Sequence, residues 1–217
     1  MKLYTSFGPN PAVVTAFLAE KRQALETVRL DITRAESGQP SFMQKNPAGT
    51  VPLLELDDGT YIAESLAICE YLDEVLPGPG SLIGDSAVAR AQTRMWLRRL
   101  DLHIIQPSSY GRRYAEGIEF CKNFRQVIPQ AANDFKLMAA QGIKWLDVQM
   151  GASKYICGDR VTLADILLYV FVEFGNVNGQ PIDPSIPWLS RWRVLMAGHR
   201  LAKVLHCDLP SYAAAVA

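Results

Sequence analysis

Apolar residues recur with two periods along this chain, and the change between them divides it. Lys2 to Thr5 reads as a short strand. Pro11 to Lys21 reads as a helix, with Val13, Val14, Phe17 and Leu18 on one stripe. Glu26 to Ile32 returns to period two, with Val28, Leu30 and Ile32 on one face. A polar loop with a short helix spans Thr33 to Lys45. Val51 to Leu56 is apolar, Asp57-Asp58-Gly59 is a hairpin turn, and Tyr61-Ile62 opens the returning strand. Glu64 to Leu76 is a helix with Leu66, Ile68, Cys69 and Leu72 inward. The predicted order is β-α-β-α-β-β-α. Its first two strands, joined by a helix, are parallel, and its last two form a hairpin.

Leu76-Pro77-Gly78-Pro79-Gly80-Ser81 can continue neither period and reads as a linker. Beyond it every segment reads helical. Ser86 to about Gln106 is a long helix interrupted near Pro107, and Arg125 to Met150 is another, anchored by Leu137, Trp145 and Leu146. Thr162-Leu163-Ala164-Asp165 is a capping box, with Val161 and Ile166 placed as a hydrophobic staple. The helix it opens, Thr162 to Phe174, is apolar nearly all round, so it is expected at the centre of the second half. Pro187 to Met196 and Leu201 to Leu205 are shorter helices. The expected organisation is an α/β domain over 1–77, a linker over 78–86 and an all-α domain over 87–217.

Composition narrows the classes. The 217 residues carry 22 Lys+Arg and 22 Asp+Glu, and 49% are hydrophobic. This is ordinary for a globular protein and lacks the basic excess of a general nucleic-acid binder. The longest strongly apolar run, Ile166 to Val172, is far short of the roughly 20 residues of a membrane span. No apolar leader core stands at the N-terminus, so a cytoplasmic location is expected. Cys69, Cys121, Cys157 and Cys207 show no Cys-x-x-Cys spacing, and His103, His199 and His206 are scattered. Free thiols and no metal site are expected.

Three segments could carry chemistry. In Asn46-Pro47-Ala48-Gly49-Thr50-Val51-Pro52, Val51 stands beside a turn. The segment is either a loop leading into a strand or a place where an extended peptide pairs with the Val51 backbone. Glu64-Ser65 opens a helix, either as a simple cap or as the seat of an amino-acid head group. In the second case the hydroxyl and helix end would hold a carboxylate, and Glu64 an ammonium. Asn10-Pro11 reads as an N-cap with proline at N1; if the side-chain oxygen caps, the amide NH₂ points outward as a donor suited to a thiolate.

Order and spacing of these motifs resemble the cytosolic glutathione transferases along the whole chain. The matching residues are Asn46-Pro47-x-Gly49-x-Val51-Pro52, Leu53-Leu54-Glu55-Leu56-Asp57-Asp58-Gly59, Glu64-Ser65-x-Ala67-Ile68-x-x-Tyr71-Leu72 and Gly158-Asp159 with Thr162-x-x-Asp165. The resemblance implies a thioredoxin-like N-terminal domain that binds glutathione, an all-α C-terminal helical bundle that forms the second-substrate pocket, and a homodimer. It implies that Val51, before a cis Pro52, pairs with the cysteinyl part of glutathione. Glu64 and Ser65 would hold the γ-glutamyl head, and Gln39 would meet the glycyl carboxylate. The usual catalytic serine or cysteine position falls on Gly8. The pattern is therefore similar to bacterial, nu-like transferases that use an asparagine, and Asn10 is the expected activator of the thiol. Ser6 is the second choice, with Tyr4 a further hydroxyl nearby.

The long helix after the linker is expected to line the second-substrate pocket through Tyr110, Arg113 and Tyr114, with Trp96, Arg99 and His103 as further candidates. The implied activity is conjugation of glutathione, as co-substrate, to small hydrophobic electrophiles. The alternatives are a glutathione-dependent disulfide reductase or peroxidase and a non-catalytic glutathione-binding scaffold. The zero net charge then divides into a net of −5 over residues 1–77 and +5 over 78–217. Arg90, Arg94 and Arg98 share a helix face that would dock the acidic first domain or help draw in an anion.

Overall fold

Successive residues of a strand point to opposite faces, and the first strand uses this to found two clusters. In β1 (Lys2–Thr5), Leu3 faces the main core and Tyr4 the smaller one. β1 pairs in parallel with β2 (Glu26–Arg29), across the helix α1 (Pro9–Lys21), and antiparallel with β3 (Leu53–Glu55). β3 turns into β4 (Tyr61–Ala63), giving the sheet order β2-β1-β3-β4. Antiparallel partners share a face, so Leu3 opposite Leu54 adds to the layer under α1 and α3 (Ser65–Val75). Tyr4 opposite Leu53 adds to the layer that Phe42 of α2 (Pro40–Met43) covers. The β-α-β-α-β-β-α order and the strand directions are as the periodicity predicts. The computed structural model describes residues 1–209, and of residues 206–208 the backbone alone. The expected second domain ran to residue 217, and its segment 210–217 lies outside the described residues, as do the side chains of His206 and Cys207.

From Ala87 onward the elements are helical: α4 (Ala87–Leu100), α5 (Gln106–Arg113), α6 (Ile118–Cys121), α7 (Ala132–Met150), α8 (Leu163–Val177), α9 (Pro187–Ala197) and α10 (Arg200–Asp208). Several boundaries differ from expectation: β2 ends at Arg29 rather than Ile32, which lies in a following 3-10 turn, α8 runs on to Val177, and three helix boundaries shift at a glycine or proline. First, α1 begins two residues early: Gly8, at φ 116°, is the N-cap and Pro9 the first helical residue, so Asn10 lies inside the helix and makes no cap. A glycine adopts that φ without steric cost, and proline suits the first turn. Second, Pro107 does not end the long helix. A π-type turn over Asp101–Ile105 precedes it, with the Gln106 N–H reaching back to the Asp101 carbonyl. Pro107 thereby falls in a new first turn, where its missing N–H is tolerated. Third, α7 starts at Ala132 rather than Arg125, because Pro129 biases Ile128 out of the helical region, to φ −129°, ψ 77°.

α8 is buried almost throughout. Its Asp165 carboxylate, fully buried, accepts from the N–H groups of Ile156 and Thr162, the Thr162 hydroxyl and the Trp192 indole. Burial pushes this carboxyl up, and those four donors pull it back. The Thr162–Asp165 capping box is thus also a junction that ties the preceding loop and α9 to α8.

The main core runs without a break from Leu3 and Phe17 through Ile68 to α8, α9 and Leu209. α1 packs on both α8 and α10. Polar ties reinforce the contact. Glu20 of α1 accepts from the Leu201 N–H at 2.9 Å and contacts His199 Nδ1 at 3.3 Å, while the other ring nitrogen lies 2.9 Å from the Tyr155 hydroxyl. Arg94 of α4 forks onto Glu70 of α3 at 2.8 and 3.1 Å. Of the three stacked arginines, this one docks the acidic half; Arg98 pairs with Asp101, and Arg90 donates to the Gly84 carbonyl.

Candidate functional site

Pairing register brings distant segments to one end of the sheet. Tyr4, near the end of β1, stands opposite Leu53 at the start of β3, and Leu53 stands opposite Ala63 at the end of β4. The residues just beyond these positions therefore emerge at the same edge: the Ser6–Asn10 turn, the Val51–Pro52 approach and Glu64-Ser65. Two helices, α1 and α3, begin there, so two positive helix ends face one region.

Each segment is shaped for that place. The Val51–Pro52 peptide is cis. Val51 precedes the paired register, which starts at Leu53. The approach is organised by buried Asn46, whose amide donates to the Thr50 carbonyl at 2.8 Å and whose oxygen accepts from the Ala48 N–H at 3.2 Å. Glu64 holds φ 71°, unusual for a residue with a side chain and worth about 1–3 kcal/mol of strain. That backbone leaves Glu64 exposed and turns Ser65 into the buried first residue of α3. Gln39 is exposed just before α2.

Asn10 and Ser6 separate clearly. The Ser6 hydroxyl is buried and donates to the Leu30 carbonyl at 2.7 Å. A hydroxyl has one proton, so Ser6 has none left for a thiolate in this arrangement. Tyr4 is drawn the other way, donating to Glu55 at 2.5 Å and accepting from Lys45 at 2.6 Å. Asn10 is exposed, and it lines a cavity of about 200 Å³ between the start of α1 and helices α5, α6 and α8.

This cavity is aromatic and basic. Phe120, Phe124, Phe171 and Phe174 line it with Arg112, Arg113, Arg125 and Cys121. Arg112 is buried, donating to Ser109 at 3.4 Å, to Gln180 at 3.2 Å and to Ser108, with Phe174 under its guanidinium. Burial pushes the Cys121 thiol up, and Arg113 and Arg125 draw it down. Of the three residues expected in the second-substrate pocket, Arg113 is in this wall. Tyr110 and Tyr114 are not: they pack on each other and on Phe135 of α7. Trp96, Arg99 and His103 form a chain with Trp145 on another face. Phe120 and Phe124 escaped the sequence reading because α6 is a single turn without a periodic pattern. Among the described residues, no group of three or more His, Cys, Asp or Glu side chains could hold a metal, and no helix is long and apolar enough to cross a membrane.

Comparison with known proteins places this geometry. The family described as "Glutathione S-transferase, N-terminal domain" matches residues 1–74, and "Glutathione S-transferase, C-terminal domain" matches 139–199. Glutathione S-transferase 2 of Saccharomyces cerevisiae is 32% identical over 195 residues, which is 87% of this chain and 81% of that protein. A solved glutathione S-transferase domain-containing protein of Marinobacter aquaeolei is 35% identical, with a TM-score of 0.82 over 91% of this chain and 98% of its own. The structure of Gtt2 from Saccharomyces cerevisiae is 29% identical, with a TM-score of 0.84 over 94% and 100%. The small mixed sheet is thus a thioredoxin-like N-terminal domain beside a helical C-terminal one, and the chain belongs to the glutathione S-transferase family of enzymes.

Proposed function

We propose that the chain conjugates the thiolate of glutathione to small electrophiles, residues 1–77 holding the tripeptide and residues 87–217, across the 78–86 linker, supplying the second-substrate cavity. The observation that carries this reading is the meeting, at one sheet end, of the cis Val51–Pro52 approach, the strained Glu64-Ser65 helix start and the N-terminus of α1. Val51 offers its backbone to the cysteinyl unit. Glu64 pairs with the ammonium of the γ-glutamyl head, and Ser65 with the α3 helix end receives its carboxylate. Gln39 meets the glycyl end.

The thiol falls to Asn10. A free thiol of pKa about 8.5 is only ~3% ionised at neutral pH. A donated amide hydrogen bond and the positive end of α1 both favour the charged form. The sulfur then attacks an electrophilic carbon in the adjoining cavity, where proximity adds to the rate. A homodimer in the cytoplasm completes the reading. Exposed Val88, Met95 and Leu102, spaced seven residues apart along one outer face, support the dimer.

The test is an assay with glutathione and either a chlorodinitrobenzene or hydroxyethyl disulfide. Asn10→Ala is expected to lower turnover of the chloroarene by about 10–100-fold, the worth of one hydrogen bond to a charged group. Full activity of Asn10→Ala with both substrates would remove Asn10 from the mechanism. Turnover of the disulfide alone would make the protein a reductase.

A further inference from the structure

The cavity beside Asn10 carries a charge that a pocket for neutral electrophiles has no use for. Arg113 and Arg125 stand in its wall, and among the described residues no Asp or Glu lines it. The acids of the same segment are engaged elsewhere: Glu116 pairs with Lys136 and Glu119 with Lys122. Arg113 lies over the Tyr110 ring at 5.1 Å, which steadies a guanidinium without neutralising it. Phe120, Phe124 and Phe171 supply flat apolar area around the two cations.

Among the described residues of the wall no carboxylate stands between Arg113 and Arg125; like charges repel one another, and an anion between them relieves the repulsion. We propose that the second substrate is an anionic aromatic electrophile, an activated ring bearing a carboxylate or sulfonate. Its ring lies among the phenylalanines and its anionic group is held by Arg113 and Arg125, which places the reactive carbon toward Asn10. The inference rests on the transferase reading for its chemistry and on the cavity alone for its specificity. In the test reaction the thiolate sulfur bonds to the ring carbon, chloride leaves with the bonding electron pair, and the thiol proton goes to solvent.

Two chloroarenes of one substitution pattern separate the charge from the ring: neutral 4-chloro-3,5-dinitrobenzamide and anionic 4-chloro-3,5-dinitrobenzoate. With kcat/KM divided by each uncatalysed rate, the benzoate is expected to be favoured by about tenfold or more at low salt, and less as ionic strength rises. Arg113→Met/Arg125→Met should abolish that preference, lowering kcat/KM for the benzoate about tenfold more than for the neutral substrate, with the KM for glutathione within about twofold, and Arg113→Lys/Arg125→Lys should keep most of it. Calorimetry with unreactive 3,5-dinitrobenzoate against 1,3-dinitrobenzene reads the same preference without turnover. Equal handling of the two chloroarenes, or an equal loss for both in the Met variant, overturns the proposal, as does a rise confined to the KM for glutathione. A wild type that turns over neither chloroarene but binds dinitrobenzoate through these arginines keeps the proposal and removes the transferase reading. A wild type that conjugates both without preference does the reverse.

Discussion

Hydrogen-bond partners sort the residues that sequence could only nominate. Ser6 and Asn10 sit four residues apart at one turn, and either could donate to a sulfur. Ser6 is buried with its proton on the Leu30 carbonyl, and Asn10 is exposed on the cavity. The Tyr4–Glu55–Lys45 cluster has a measurable signature. The Tyr4 hydroxyl first, then Lys45, hold the Glu55 carboxyl below its usual 4.5. A depressed carboxylate stabilises the fold above that value, and the contribution is lost as pH falls through the folded pKa. Glu55→Gln is therefore expected to lower Tm at neutral pH, and the gap from wild type should close as pH drops below 4.5. A gap that stayed constant across the acid range would show that the carboxylate charge does not matter.

At the scale of elements, the crossing of α7 over the π-type turn depends on Gly142. Pro107 has no N–H to give the His103 carbonyl four residues back. That carbonyl faces Gly142, where a Cβ would overlap it and crowd Ile104. Gly142→Ala is expected to destabilise by about 1–3 kcal/mol, the usual range for overpacking, although alanine is the better helix former. Urea denaturation measures it, with Gly38→Ala, which meets nothing within 4 Å, as the control. The helix-and-strand plan was legible because its periods are strong: β1 and the hairpin turn fall where expected. The helix ends were less so. Gly8, Pro107 and Pro129 each act through a backbone angle or a missing donor, which a pattern of apolar positions does not register.

At the scale of the molecule, the two halves share one core and are latched by buried charge. Lys21, at the end of α1 and 3% exposed, donates to Asp73 Oδ1 at 3.1 Å and to the Gly80 carbonyl at 3.3 Å. Asp73 also accepts from Ser81 and from the Leu82 N–H, so one ion pair pins α1, α3 and the linker together. Lys21→Met leaves a buried carboxylate without its cation and is expected to cost about 3–5 kcal/mol in chemical denaturation. A loss below about 1 kcal/mol, the usual worth of a surface pair, would show that the latch is solvated.

Local signals by themselves determined the element order, the capping box at Thr162, the divided charge and the motifs that mark the family. Each of these is written in residues close together along the chain. Only the tertiary structure decided which candidates line one cavity. It brought Asn10, Arg113, Phe120 and Phe124 to one cavity whose lining does not include Tyr110, Tyr114 or Ser6. It also made Lys21, a helix-end lysine in the sequence, a buried hub. The reason is physical. Period sets the type of an element, but its rotation about its own axis, and so what each side chain faces, follows from packing against elements far away in sequence.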